Sequence, residues 1–491
     1  MTYLSKFSVN QIQTDVFING KFTQSEQKIA KSSPIDGIPL PSLNSCSEQD
    51  VNLAVFAAES AYQSKVWSGS DLKNRKSVLI KLAVLMRENL EYLAYLDTIE
   101  TGRPIGNFLN HSIPKAIEAL EWFIEAVDKC PDYSYSSNTH SFARIVKHPL
   151  GIVGLITPWN DPLVVSVWKF APALLMGNSV VIKPSENSSY SILEIARLAQ
   201  IAGIPDGVFN VITGYGHIAG KALALHKQVR GIFFTGSSTT GKKILEYSAQ
   251  SNMKKVGLEC GGKSSFIVSK NCKNLETAAQ VLAKSIFYNQ GQICSAPSRL
   301  LIESEIKATF LKLLLDETEK YKPANPWDLD TLVGSLVSKE QFERVKSYID
   351  LGIKEGGVIL CGNDEHHLKN GFYINPVIFD ELPPTARISQ EEIFGAVLVV
   401  HEFEKISEAI KIANSTRYGL AASIWSDDIN ESLLCAEELE AGIVHVNSYG
   451  DEENSVPFGG FKESGLGRDK SLYAFDEYSE TKTIWVNLVN S

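Results

Sequence analysis

No run of the ~20 nearly continuous apolar residues that a membrane-spanning helix needs occurs in the 491-residue sequence. The most apolar stretch, Val164 to Ile182, is broken by Lys169, Pro172 and Asn178. A basic excess is also missing: Lys and Arg number 47 against 57 Asp and Glu, a net charge of −10. Neutralising nucleic-acid phosphates or an anionic membrane takes clustered cations, so neither is expected as a partner. Cysteine is sparse and unpaired. The seven residues Cys46, Cys130, Cys260, Cys272, Cys294, Cys361 and Cys435 are odd in number and contain no C-x-x-C pair. That spacing argues against a zinc site or a disulfide framework and for a reducing compartment. The opening residues MTYLSKFSVNQIQTD lack an apolar core and a small-residue cleavage site, so a cytoplasmic location is expected. No repeat or low-complexity segment is present.

What is present fits a large soluble protein. At ~150 residues per domain the length suggests about three domains. Apolar residues recur three and four apart between about Val51 and Leu96 and again in IPKAIEALEWFIEAV, the period of amphipathic helices. From Arg144 to Gly236 short β-rich runs (IVGLIT, SVVIK, VFNVITG, GIFFTG) alternate with helical runs (SYSILEIARLAQIAG, HIAGKALALH, TTGKKILEYSAQ). Such alternation implies βαβ units and a parallel sheet. A second alternating block begins near Ser264, with a long helix expected from Glu305 to about Tyr321. The boundary between the blocks falls near LECGGK. The tail SETKTIWVNLV reads as an isolated strand, either an edge strand of its own domain or one that pairs with a partner subunit.

Five short segments carry chemistry-bearing residues. FFTGSSTTGKK runs a strand into a turn at Gly236 and a helix start at Ser237, where free N–H groups attract pyrophosphate. It lacks the middle glycine of G-x-G-x-x-G, and many βα turns look alike. VVIKPSE ends a strand with Lys183 and Glu186, either a solvated strand end or a pair for ribose hydroxyls; the carboxylate would repel a 2′-phosphate. Cys294, in YNQGQICSAPSR, has small polar neighbours that leave room for a substrate, against the alternative of an inert buried thiol. Glu259, in GLECGGKS, sits between apolar residues and a glycine pair. Burial with a raised pKa would make it a general base; a helix cap or an ion pair is the alternative. Asn160, bracketed by Pro158 and Pro162, is either a rigid donor to an oxyanion or an ordinary turn residue.

Taken together, the order and spacing of these segments resemble the aldehyde dehydrogenase superfamily. The agreement spans nearly the whole chain: FINGKF, ETGRP, PWNDPL, GNSVVIKPSE, FTGSSTTG, LECGGKS, NQGQICSAPSR, EEIFGAV, NSTRYGL and PFGGFKESGLGRD. The resemblance implies an α/β fold of three parts. These are a Rossmann-like, parallel-sheet NAD-binding domain (residues 1–129 and 148–257), an α/β catalytic domain (258–470) and a small β element for oligomerisation (130–147 and 471–491). It implies Cys294 as nucleophile, Glu259 as general base and Asn160 as oxyanion donor, with Lys169 near the active site in an open role. Implied cofactor contacts are Ile156, Trp159, Lys183, Ser185, Glu186, Gly236, Ser237, Glu392 and Phe394. NAD is the implied cofactor, with NADP disfavoured by Glu186. The implied reaction is oxidation of an aldehyde to a free acid, since relatives that pass the acyl group to coenzyme A generally lack the base. A coenzyme-A-acylating enzyme and a non-catalytic homologue are the remote alternatives. A homodimer or homotetramer is implied as the assembly.

Three residues depart from the family pattern: Cys260 for Leu, Ala396 for Pro, and Asp161 for an aromatic. Ala396 is expected to loosen the turn after the nicotinamide contacts. Asp161 falls at the aldehyde entrance by motif position, as do Asp451, Glu452 and Glu453. Together with the aromatic faces of Trp168, Tyr288 and Phe458 these acids would attract a cation, unless they are solvated loop residues. The tail most resembles γ-glutamyl-γ-aminobutyraldehyde and related aminoaldehyde dehydrogenases. The expected substrate is therefore an ω-amino- or guanidino-aldehyde from polyamine breakdown, with a broad aliphatic or aromatic range as the alternative.

Overall fold

The computed structural model describes residues 6–362, 368, 370–450 and 453–488. Two sheets dominate it. The first has eight strands, in the order Lys21–Thr23, Val16–Ile18, Phe209–Val211, Ser179–Pro184, Ile152–Thr157, Gly231–Thr235, Lys255–Glu259 and Gly465–Leu466. The five strands from Phe209–Val211 to Lys255–Glu259 are parallel, and the outer ones antiparallel. Every residue of Ile152–Thr157 and Ser179–Pro184 is buried, as in a parallel sheet covered on both faces. Their runs of Val, Ile and Leu follow from that burial.

The stretch Val164 to Ile182 shows why an apolar run need not be a span. It folds as the helix Pro162–Leu175, a turn, and the strand Ser179–Pro184. Pro162 starts the helix, where its missing N–H costs nothing. Asn178 fixes the turn: its side chain donates to the carbonyls of Ala173 and Tyr478, each at 2.9 Å, and accepts from the Gly151 N–H. Among the described residues no helix is long and apolar enough to cross a membrane.

After Glu259 the chain crosses to the second sheet. Its seven strands lie in the order Val358–Cys361, Val377–Asp380, Val397–Phe403, Arg299–Glu303, Ser265–Val268, Ala421–Trp425 and Ile443–Val446, parallel except for the first. The crossing lies in LECGGK, between Lys255–Glu259 and Ser265–Val268. One short strand returns: Gly465–Leu466, inside the 258–470 segment, pairs antiparallel with Lys255–Glu259 in the first sheet. A boundary placed on sequence alone misses it, because a two-residue strand has no periodicity to read. The tail strand Ser479–Asn487 pairs with Ser141–Pro149 of its own chain, and that strand with Tyr133–Asn138, in a separate three-stranded sheet. The long helix expected from Glu305 is the helix Lys307–Thr318 flanked by single 3-10 turns.

Candidate active site

The candidate residues gather where the parallel strands of the first sheet end and the chain crosses to the second. In open α/β sheets the crevice beyond the strands' carboxyl ends is the usual ligand site. Ile156 is buried in its strand, and Trp159 to Asp161 follow at its end. Lys183, Ser185 and Glu186 lie at the next strand end, and Gly236 and Ser237 at a third. Glu259 is the last residue of Lys255–Glu259.

Cys294 is half-buried on a loop after the helix Leu275–Phe287. The loop is held in an unusual shape: Asn289, Gln290 and Gly291 all have positive φ, at 50°, 59° and 69°. Gln290 donates to the Gly334 carbonyl at 2.6 Å, and the Val337 N–H donates to the Gln292 side chain at 3.1 Å. Such conformations persist only where surroundings over-determine them. Gly262, three residues after Glu259, backs the loop closely: a Cβ there would lie 2.6 Å from the Cys294 carbonyl oxygen. The Asn160 side-chain amide donates to the Gln292 carbonyl at 3.0 Å, and the Asn289 amide donates to the Asn160 carbonyl at 3.2 Å. An Asn amide has two N–H groups, and the bond to Gln292 uses one of them.

The other six thiols are pushed up by burial: Cys46, Cys260 and Cys435 to about 12, Cys361 to about 11, and Cys130 and Cys272 in the same direction. A raised thiol pKa lowers the thiolate fraction and with it the reactivity. Among the described residues no group of three or more His, Cys, Asp or Glu is placed to hold a metal.

Glu259 is buried, and one carboxylate oxygen has no hydrogen-bond partner. Burial, and then the nearby Asp469, push its pKa well above the ordinary carboxylate value. Lys169, left open by the sequence, donates to Asp469 at 2.8 Å in a buried ion pair. Removing one partner of such a pair strands a charge in low dielectric. Lys169→Met should therefore lower unfolding free energy by roughly 3–5 kcal/mol, read from urea denaturation; a loss under about 1 kcal/mol would show that Asp469 finds other compensation.

The cofactor candidates lie along the same crevice. Lys183 is buried, which pushes its ammonium pKa down. It donates to the Pro184 carbonyl at 2.9 Å, with a Glu186 carboxylate oxygen at 3.5 Å. Lys31, which the sequence reading missed, donates to the Glu186 carbonyl at 2.6 Å. Ser185 donates its N–H to the Thr157 carbonyl. Ser237 caps the helix Ser238–Ser251, accepting from the Thr240 N–H, and the Gly236 N–H donates to the Glu259 carbonyl at 3.0 Å. Glu392 accepts from the Gly262 N–H at 3.2 Å, and burial pushes it up to about 7. Trp159 and Phe394 meet edge to face at 5.2 Å. A lysine and a carboxylate at one strand end, a helix start at another and a carboxylate at the far rim suit a dinucleotide's riboses and pyrophosphate. A cavity of about 750 Å³ lies elsewhere, at the strands' opposite ends beside Tyr62, Arg230 and Lys254, and holds none of these residues.

Two expectations change. The Phe394–Ala396 turn is not loosened by Ala396. Gln341 donates to the Phe394 carbonyl at 2.7 Å, and the Val377 N–H donates to the Ala396 carbonyl at 2.9 Å. A Cβ on Gly291 would lie 2.3 Å from the Gly395 carbonyl, so the Cys294 loop braces the turn as well.

The acidic mouth also changes. Asp161 lies 3.4 Å from the guanidinium of Arg103, a buried residue of ETGRP. Arg103 also donates to the Tyr288 hydroxyl at 2.6 Å and packs on the Tyr288 ring at 4.9 Å. Asp161 is therefore not an uncompensated anion, and the Tyr288 face already carries a cation. Trp168 and Phe458 pack at 5.3 Å, with the Lys470 ammonium 5.5 Å over the Trp168 ring. Glu453 is exposed, while Asp451 and Glu452 lie outside the described residues. Only an arginine considered together with Asp161 would have signalled this network.

Comparison with known proteins agrees with this geometry. The aldehyde dehydrogenase family model matches residues 22–484. The chain is 43% identical over 479 residues to the NADP/NAD-dependent aldehyde dehydrogenase PuuC of Escherichia coli (strain K12), covering 97% of this chain and 96% of the relative. It is 39% identical over 474 residues to the aminoacetaldehyde dehydrogenase of Pseudomonas aeruginosa, covering 96% and 95%. The crystal structure of a γ-glutamyl-γ-aminobutyraldehyde dehydrogenase from Burkholderia cenocepacia J2315 superposes with a TM-score of 0.97 at 42% identity, covering 100% of both chains. The indole-3-acetaldehyde dehydrogenase AldA of P. syringae, in complex with NAD+ and IAA, has a TM-score of 0.97 at 43% identity, covering 99% of this chain and 100% of the other. With a match over nearly its full length, this chain belongs to the aldehyde dehydrogenase family.

Proposed function

We propose that this chain oxidises an aldehyde to the free acid with NAD, through a thioester on Cys294. The observation that carries the reading is the Asn160 amide, bonded to the Gln292 carbonyl two residues before Cys294. It supports an oxyanion donor at the nucleophile. The Cys294 thiolate adds to the aldehyde carbon, and the resulting oxyanion takes the second Asn160 N–H. Bound NAD supplies a hydride acceptor. Lys183, Glu186, Ser237 and Glu392 are the residues proposed to hold it, and the Glu186 carboxylate disfavours a 2′-phosphate. Loss of hydride leaves the acyl group on Cys294. Glu259 then takes a proton from water as the water's oxygen attacks the acyl carbon, and the thiolate leaves. The sum is aldehyde, NAD+ and water in, acid, NADH and a proton out.

For the substrate we propose an ω-amino- or γ-glutamyl-amino-aldehyde from polyamine breakdown. The named activities of the aminoaldehyde relatives support this class. The Arg103–Asp161 pair refines it. A mouth carrying both signs suits a zwitterionic γ-glutamyl tail better than a bare ammonium. The same pairing favours, as a second reading, a broad range of uncharged aldehydes. Steady-state kcat/KM for 4-aminobutyraldehyde, its γ-glutamyl adduct and butanal decides. The expected order places the γ-glutamyl adduct first, with butanal lower by ~10-fold or more, the scale of one good pocket contact. Butanal handled as well as both charged substrates would sink the proposal.

The reading extends to a cytoplasmic homodimer or homotetramer built on the three-stranded sheet. Exposed Tyr133, Tyr135 and Trp485 on that sheet support it. We retain the assignment of 1–129 with 148–257 to cofactor binding, 258–470 to catalysis and 130–147 with 471–491 to assembly, except for the returning strand Gly465–Leu466.

A further inference from the structure

With Asn160 read as the oxyanion donor, as proposed above, we infer that Arg103 is its positioning residue: it holds the Asn160–Asp161 turn in place against the Cys294 loop. Asp161 stands at the N-cap of the helix Pro162–Leu175, where a carboxylate usually accepts from the first free N–H groups. Its side chain makes no cap bond and lies instead 3.4 Å from the Arg103 guanidinium. The Asn160 carbonyl is held by side chains as well, accepting from Arg103 at 3.4 Å and from Asn289 at 3.2 Å. A carbonyl oxygen has two lone pairs, so both are used. One guanidinium therefore grips two consecutive residues of the turn, and the first of them carries the amide that donates to the Gln292 carbonyl.

Arg103 is itself a fixed point. It is buried, with its guanidinium 5.0 Å from the Phe108 ring and 4.9 Å from the Tyr288 ring, and it donates to the Tyr288 hydroxyl at 2.6 Å. The residue before it, Gly102, has φ of 74°, and its carbonyl accepts from the Ser335 N–H at 3.0 Å. The neighbouring Gly334 carbonyl accepts from Gln290 of the Cys294 loop. One short segment thus anchors both the backbone beside Arg103 and the loop that carries Cys294. Through Arg103 the Asn160 turn is referred to the same frame. The residue type matters: a planar group with five donors reaches Asn160, Asp161 and Tyr288 together while packing on aromatic rings, which an ammonium on a flexible stem does not reproduce.

A double-mutant cycle with butanal tests this, since an uncharged aldehyde keeps the charges of the mouth out of the comparison. Asn160→Ala should lower kcat by ~10²–10³-fold, the cost of losing one oxyanion donor. Arg103→Met should lower kcat and kcat/KM alike by ~10–100-fold, the scale of a donor displaced by an ångström, leaving KM unchanged as for an interaction made only in the transition state. The double variant should be no slower than Asn160→Ala alone, because Arg103 acts through Asn160. A residue that merely supports the fold would cost the same factor in both backgrounds. Losses that multiply overturn the proposal, assign the effect of Arg103 to Tyr288 and the Cys294 loop, and leave the oxyanion reading standing. A wild-type kcat in Arg103→Met overturns the proposal too. A wild-type kcat in Asn160→Ala overturns the oxyanion reading itself, and the role of Arg103 with it. If Arg103→Met does not fold, Arg103→Lys, which keeps the buried charge beside Asp161, is run through the same cycle and decides.

Discussion

Cys294→Ala should reduce aldehyde-dependent NADH formation by at least ~10⁴-fold, the scale of losing a covalent nucleophile. The melting temperature and NAD affinity should stay near wild type, because Cys294 is only half-buried and the Gln290 and Gln292 side chains hold its loop. The contrast with the other cysteines makes the test specific. Cys260→Ala and Cys435→Ala should keep turnover within a few-fold, since burial pushes both thiols up to about 12. At neutral pH those two are almost wholly protonated and unreactive. Steady-state NADH production with saturating aldehyde measures all three. A Cys294→Ala enzyme retaining a tenth of the activity would eliminate the thioester route. Loss of activity in Cys260→Ala with unchanged melting would move the chemistry next to Glu259.

Part of this site could be read in the sequence because Trp159 to Asp161, Lys183 to Glu186, Gly236 and Glu259 sit where parallel strands stop. The end of a parallel strand is marked by a switch from β-branched residues to Pro, Gly or Ser, as in LITPWN, VVIKPSE and FFTGSS. The parallel sheet followed from the same alternation. What could not be read is lateral. Arg103 lies 58 residues before Asp161, and nothing in ETGRP points to a partner. Asp469 likewise takes Lys169 across 300 positions. Periodicity reports which face of an element is buried, not which charge meets which. Asp161 reads as a free anion for that reason: one half of an ion pair looks unpaired in a sequence. The return of Gly465–Leu466 to the first sheet is invisible for another reason, being too short to carry a pattern.

Glu259→Gln should separate the two halves of the reaction. If Glu259 serves only to activate water, acylation of Cys294 survives its loss and hydrolysis slows by ~10²–10⁴-fold, the usual contribution of a general base. Rapid mixing should then show one equivalent of NADH per active site, followed by very slow turnover. An added thiol that accepts the acyl group should restore turnover in the variant and have little effect on wild type. The pH dependence has a definite sign. A carboxyl held well above its ordinary value acts as a base only in its ionised form, so wild-type turnover falls as pH falls through that raised value. The amide of the variant does not titrate, so the same acid limb disappears from its residual rate. The swap is nearly isosteric, and because Glu259 is buried with one oxygen unpartnered, folding should survive it. A variant with no burst would place Glu259 in the first half-reaction instead, as the group that deprotonates Cys294. Wild-type turnover in the variant with no added thiol would assign the activation of water to another group.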